Sequence, residues 1–184
     1  YREARIPHVA TRNDWYTALA YTVRDRIISR WIKTVETITA YRAVFDKVVQ
    51  RYGGRIVNAP GDSVLAEFPS VVDAVSGAVD TQAQLAAENA KLAKSRQMVF
   101  RIGVNLGDVI EKEGDIYGDG VNIAARVESL AEGGGICISG PVFDQVRKKL
   151  DFGFAYMGRV GVKNISEPVR VYRLLANPED AGRF

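Results

Sequence analysis

The sequence predicts an α+β fold built on a mixed sheet, and three observations carry that prediction. Apolar residues recur at helical spacing in separate stretches around 38–49, 71–85 and 123–130. Short alternating or continuous apolar runs at 55–58, 64–68, 98–105 and 136–139 read as strands. Some of these strands are joined by helices and others by tight turns, which argues against a purely parallel sheet. The chain is long enough to build a core without help: it has 184 residues, 47% apolar and 26% charged, and a domain of that size hides roughly 70% of its unfolded surface.

Taken in order, Thr11 or Asn13 stands where a helix cap would. Trp15, Leu19, Val23, Ile27 and Trp31 then follow at four-residue intervals, so a long amphipathic helix is expected over 13–33. A second stripe, Ile38, Tyr41, Phe45, Val48 and Val49, runs to the helix stop Gly53-Gly54. Segments 55–58 and 64–68 flank Ala59-Pro60-Gly61-Asp62-Ser63, whose Pro and Gly predict a tight connection between antiparallel strands. Val71, Val75, Val79 and Leu85 place a helix over 70–93, and 98–105 is the strongest strand signal. After Gly107 the pattern predicts a short strand at 109–111, a loop to Asp115 and a helix at 123–130. Gly133 to Gly135 stop that helix, 136–139 is a buried strand, and Pro141 opens a helix through Leu150 at the favoured first position. Segments 152–157, 160–163 and 169–174 read as edge strands. One compositional seam lies near Thr34, which divides the chain into a helical segment (1–34), a main domain (35–176) and a tail (177–184).

The formal charge of +3 hides an asymmetry. Residues 1–54 carry 10 Lys/Arg against 5 Asp/Glu, an excess of +5, and 55–184 carry 15 against 17, or −2. Arg24, Arg26 and Arg30 are the polar side of an amphipathic segment rather than a basic face interleaved with aromatics, so no nucleic-acid partner is expected. One cysteine, Cys137, and one histidine, His8, exclude an internal disulfide and a Cys/His zinc cluster. Cysteine usage fits a reducing, cytoplasmic location, and no apolar run approaches the ~20 residues of a membrane span. The chain therefore reads as soluble, or as the soluble piece of something longer. Cys137, between Ile136 and Ile138, is expected to be packed core, His8 an exposed loop residue and Asp108 a turn residue.

Two segments carry the chemistry. Asp62 sits at the tip of the 55–68 hairpin after Gly61, where a carboxylate suits a divalent cation, since Mg²⁺ takes one or two carboxylates with phosphate oxygens and water. Taken alone, a Gly-Asp turn is better explained by backbone preference. In DIYGDGVNIAAR (115–126), Gly118 and Gly120 precede a helix on which Asn122 and Arg126 are four apart and share a face. An amide and a guanidinium so aligned can hold a ribose and a phosphate, although a helix with a polar outer face reads the same way.

Order and spacing of AYRAVFD, YGGRIVNAPGDSVLAEF, FRIGVNLGDV, DIYGDGVNIAARVE, GGGICISG and VKNISEPVRVYRL resemble the catalytic domain of class III nucleotidyl cyclases, from about Val35 to Leu175. The adenylate cyclases of soil and root-nodule bacteria look nearest. The resemblance implies a ferredoxin-like sheet with helices on one face, two copies pairing head to tail as a homodimer, and conversion of ATP to cyclic AMP and pyrophosphate with Mg²⁺ or Mn²⁺. Position by position, it gives Asp62 as a metal ligand and Asp115 as acceptor of the adenine amino group. It gives Asn122 as the residue that orients the ribose, Arg126 as stabiliser of charge on the reacting phosphoryl group and Lys163 as holder of the terminal phosphates.

Two departures stand out. Asn58 occupies the place where many members have a purine-reading lysine; an amide still hydrogen-bonds a base edge. The family's first strand, with an aspartate followed three residues later by glycine and an aromatic, has no counterpart before AYRAVFD, so a sheet position and one metal ligand are expected to be missing. Asp14 and Asp25 fall on the expected 13–33 helix and are set aside as replacements. Residues 8–33 instead resemble the N-terminal helix region of glycogen phosphorylases, as if the chain were fused near Thr34. With one metal aspartate, weak activity or a non-catalytic, nucleotide-sensing or dimerising module is the competing expectation.

Overall fold

A computed structural model describes residues 17–23, 31–59, 63–112, 114–162, 165 and 167–175, with the backbone alone for 17–23 and 31–37. The elements are β1 (Thr17–Val23), α1 (Trp31–Arg51), β2 (Arg55–Asn58), β3 (Ser63–Phe68), α2 (Val71–Ala90), β4 (Phe100–Leu106), β5 (Ile110–Lys112), β6 (Asp115–Tyr117), α3 (Asp119–Ser129), β7 (Ile136–Ser139), α4 (Gly140–Val146), β8 (Gly153–Val160) and β9 (Val169–Leu175). Seven strands form one sheet in the order β2-β3-β1-β4-β7-β9-β8, and β5-β6 is a separate hairpin. The β4–β7 pairing is parallel and the others are antiparallel. The fold is α+β with a mixed sheet, as expected.

Residues 17–23 correct the reading of a continuous 13–33 helix and of a vacant sheet position. They form a strand between β3 and β4, with Leu19 opposite Ala66 on one side and Val104 on the other. The cause lies in the spacing. Residues four apart share a face in a strand of period two as well as in a helix, so Leu19 and Val23 satisfied both patterns. Thr17, Tyr21, Thr22 and Val23 are strand formers, and a central gap would leave the facing edges of β3 and β4 without backbone partners. Residues 13–16 and 24–30 lie outside the described residues, as do His8 and 176–184. Helix α1 begins at Trp31 and runs across the Thr34 seam.

Two apolar clusters lie on opposite faces. The larger joins Tyr41, Phe45, Val48 and Val49 of α1, Ala74, Val75 and Leu85 of α2 and Val142 and Val146 of α4 with Phe100, Ile102 and Val104 of β4 and Ile136 and Ile138 of β7. The smaller joins Val127 and Ala131 with Cys137 and Val171. Thus α1, α2 and α4 cover one face, and α3 covers the other, a departure from the expected one-sided arrangement. Helix α2 opens on a Ser70 side chain that accepts from Asp73 N. Strand β9 is interior, between β7 and β8, and β8 runs unbroken to Val160, so the three expected edge strands resolve into one edge and one interior strand.

Candidate functional site

The helix bearing Asn122 and Arg126 is held by alternate residues of a single strand. On β4, Phe100, Ile102 and Val104 enter the large core, so Arg101, Gly103 and Asn105 face the opposite way, toward α3. Arg101 Nε lies 2.8 Å from Glu128 Oε1, and the Asn105 Nδ2 donates to Gly120 O at 2.9 Å. Between them, a Cβ built on Gly103 would stand 2.3 Å from Glu128 N and 2.6 Å from Ala124 O. The three strand residues therefore meet helix positions 128, 124 and 120 in turn. Two strand residues span about 6.7 Å and four helix residues about 6.0 Å, so the two periods stay in step over the length of the contact. Glycine at 103 lets the helix backbone rest directly on the sheet.

The face of α3 turned away from β4 carries two of the residues that the sequence singles out. Asn122 and Arg126 are both exposed and one helical turn apart. The turn into this helix is set by Gly118, at φ 124°, where an L side chain would be strained, and its carbonyl accepts from Val121 N and Asn122 N. The two side chains share one helical face as their spacing predicts, and the helix starts at Asp119, ahead of the expected 123, so that Gly120 stands inside it rather than before it.

A second group forms where the β5-β6 hairpin meets the sheet edge. Asn58, at the end of β2, donates from Nδ2 to Asp115 Oδ2 at 2.9 Å across 57 residues of sequence. The other carboxylate oxygen of Asp115 accepts from Ile116 N at 2.9 Å, which fixes its orientation. Tyr117 is exposed beside it, with its hydroxyl 3.5 Å from Asp115 Oδ2. The hairpin is tied to the sheet a second time through Arg55, which donates to Glu67 and places Nη2 3.2 Å from Glu111 Oε1. Hydrogen bonding to Glu67 is the main reason the Arg55 guanidinium holds its proton more tightly than usual.

Of the six sequence-predicted site residues, the structure brings Asn58 and Asp115 into contact and sets Asn122 and Arg126 on one helix face. Asp62 and Lys163 lie outside the described residues. Among the described residues, no cluster of three or more His, Cys, Asp or Glu side chains could hold a metal. Sequence reasoning missed Arg55, Arg101, Asn105 and Glu128, which act through contacts distant in sequence. The one available signal was the alternation in β4, where Arg101, Gly103 and Asn105 interrupt an otherwise apolar strand. Cys137 is buried core as expected, with burial pushing its thiol up to about 11, and Asp108 is exposed.

This geometry can be set against known proteins. The family model for the adenylate and guanylate cyclase catalytic domain matches residues 25–176. The chain belongs to that family. A protein of Rhizobium meliloti named "Putative adenylate cyclase 3" is 39% identical over 161 residues, 86% of this chain and 27% of that protein. The chain thus spans about a quarter of the length of this relative. Among solved structures, the adenylate/guanylate cyclase/hydrolase from Silicibacter pomeroyi superposes with a TM-score of 0.81 at 30% identity, covering 88% of this chain and 96% of that one. The adenylyl cyclase CyaB from P. aeruginosa shares the fold, with a TM-score of 0.74 at 22% identity over 91% and 97% of the two chains. A glycogen phosphorylase of Synechocystis sp. is 51% identical over 37 residues, which is 20% of this chain and 4% of that protein. No helix of the described residues is long and apolar enough to cross a membrane.

Proposed function

We propose that this cyclase domain converts ATP to 3′,5′-cyclic AMP and pyrophosphate, by attack of the ribose 3′-hydroxyl on the α-phosphate, at a site completed by a second copy of the chain. The observation that carries the reading is the 2.9 Å contact between Asn58 and Asp115. Asp115 Oδ2 accepts from the adenine amino group. The Asn58 amide spends one N–H on Asp115 and has another to offer an acceptor on the ring. Guanine presents a carbonyl oxygen where adenine presents its amino group, and two acceptors facing each other would reject it. Asn122 orients the ribose, Arg126 meets charge developing on the reacting phosphoryl group and Lys163 holds the terminal phosphates, so that catalysis is positioning plus electrostatic stabilisation.

The donor set fits Mg²⁺ or Mn²⁺, since both take carboxylate oxygens with phosphates and water. Asp62 would hold the ion, which when bound neutralises triphosphate charge and favours ionisation of the 3′-hydroxyl. For the second carboxylate we propose Asp25, which lies outside the described residues. Its dismissal rested on a helix through 13–33, and residues 17–23 are strand. Thr22 stands opposite Ser63, the residue after Asp62, and Asp25 follows the strand end by two residues.

The reading is tested by cyclic AMP production from ATP with Mn²⁺, using Asp62→Ala and Asp25→Ala as controls. Turnover abolished by Asp62→Ala supports it. The alternative is a non-catalytic module that binds nucleotide or dimerises, and it rests on β1 (TALAYTV) carrying no carboxylate in its sequence. Calorimetric ATP binding without turnover favours the module; absence of both binding and turnover overturns the cyclase and nucleotide-binding readings, and a monomer at every concentration by sedimentation overturns the dimerising one.

A further inference from the structure

The purine-facing pair is only as selective as the distance between its members, and these belong to different sheets. Asn58 ends β2 of the seven-stranded sheet, whereas Asp115 opens β6 of the two-stranded hairpin. The hairpin is short, three residues in each strand, and two of its large apolar side chains, Ile110 and Tyr117, face solvent. A two-stranded hairpin has little stability of its own, so its placement depends on what docks it. Besides buried Ile116 and the Asn58–Asp115 bond itself, the hairpin is tied to β2 through Arg55.

Arg55 is well suited to this task. It stands directly opposite Glu67 in the β2–β3 register, and Glu67 is 2% exposed. One edge of the guanidinium is thereby fixed to a buried carboxylate, and the other is presented to Glu111 in the middle of β5. A guanidinium fixed on one edge holds the charge of its other edge at a set place beside Glu111, which a flexible lysine ammonium would not do.

We propose that Arg55 is a positioning residue for base selection: by bridging Glu67 and Glu111 it holds the hairpin at the spacing at which Asp115 and Asn58 read adenine rather than guanine. This rests on the nucleotide-binding reading given above. Arg55 does not touch the base. Its loss is felt as a wider, looser separation between the two readers, which costs the correct base its paired contacts and relaxes rejection of the wrong one.

The test uses Glu111→Gln, which leaves the Arg55–Glu67 pair in place, and Arg55→Lys, which keeps the charge and loses the fork. Two readouts are taken on the full chain: amide hydrogen exchange over 110–117, and the ratio of ATP to GTP affinities by displacement of a fluorescent nucleotide analogue. Expected are faster exchange in the hairpin with β3 unchanged, and an ATP preference reduced about five- to tenfold, the scale of one net hydrogen bond in the purine reader. In an Asp115→Ala background, Glu111→Gln should cause no further loss of preference, because the reader it positions is gone. Unchanged hairpin exchange overturns the clamp whatever the nucleotide data show. Faster exchange with an unchanged ATP to GTP ratio, or with both affinities falling equally, overturns the role in selection. A wild-type chain that binds neither nucleotide overturns the nucleotide-binding reading and the selective role together, while the exchange data still decide the clamp.

Discussion

Replacing Gly103 by alanine tests whether α3 is seated by direct contact with β4. The added Cβ would sit 2.3 Å from Glu128 N, and ordinary contact begins near 3.4 Å, so the helix backbone must retreat by about 1.1 Å. The three nearest atoms all belong to backbone rather than to a side chain that could swing aside, which places the cost at the upper end of overpacking, about 3 kcal/mol. Alanine also restricts the unfolded chain, returning about 0.7 kcal/mol. The net loss is about 2 kcal/mol, and at roughly 2–4 °C per kcal/mol for a chain of this size the melting temperature should fall by about 4–8 °C. Gly161→Ala is the control: no atom lies within 4 Å of its Cβ position, and it should leave the melting temperature within about 2 °C. Circular dichroism melts of the two variants decide the matter. Because Asn122 and Arg126 ride on the displaced helix, cyclase turnover should fall by up to about 100-fold, the effect expected of a 1 Å misplacement. A Gly103→Ala protein that melts with the wild type would refute the direct seating of α3.

Three further outcomes follow from the same geometry. Arg126→Ala should lower kcat by about 10²–10³-fold at unchanged melting temperature, since the side chain is exposed and the role proposed for it is electrostatic; steady-state assays with ATP and Mn²⁺ check this. Asn105→Leu removes the donor to Gly120 O inside a site where Asn105 is 2% exposed, and urea unfolding should show a loss of about 1–3 kcal/mol. Cys137 should resist thiol reagents at pH 8 until the protein is unfolded. Its folded thiol keeps its proton to about 11 against 9.0 when free, so stability is full below pH 9 and declines between 9 and 11 as the unfolded state alone ionises. The decline should be shallower in Cys137→Ala, as read by denaturation at several pH values.

How legible each part was depends on the range of the forces that shape it. Helices α1 and α2 and strands β2, β3, β4 and β7 were readable because one face of each is buried, and burial stamps its period on the sequence. Strand β6 was missed: three residues, Asp115 to Tyr117, are too few to show a period. Helix α4 stops at Val146, short of the expected Leu150, since a proline marks where a helix starts and says nothing of where it ends. In the site, Asn122 and Arg126 share a face by local geometry alone, and that much followed from spacing. The Asn58–Asp115 contact and the Arg55 bridge join segments that only the sheet order brings together, and no local pattern encodes them.

Strand β1 shows why fold and chemistry separate in this chain. A sheet position between β3 and β4 asks for backbone donors and acceptors in an extended segment, and any stretch of strand-forming residues that alternates over its length can supply them. Residues 17–23 meet that demand, pairing with Ser63 to Phe68 on one side and Phe100 to Leu106 on the other. A metal site asks for something the backbone cannot give, an ionised oxygen donor at one end of the strand. The two requirements fall on different atoms, so a segment of different sequence can satisfy the first without the second. It follows that the cyclase fold alone is no measure of cyclase activity here. If Asp25 supplies the missing oxygen, Asp25→Ala should abolish Mn²⁺-dependent turnover while the melting temperature in the absence of metal stays within about 2 °C of wild type, because the strand is held by its backbone. A variant that loses turnover only in proportion to a lowered melting temperature would place Asp25 in the packing and leave Asp62 as the sole carboxylate for the ion.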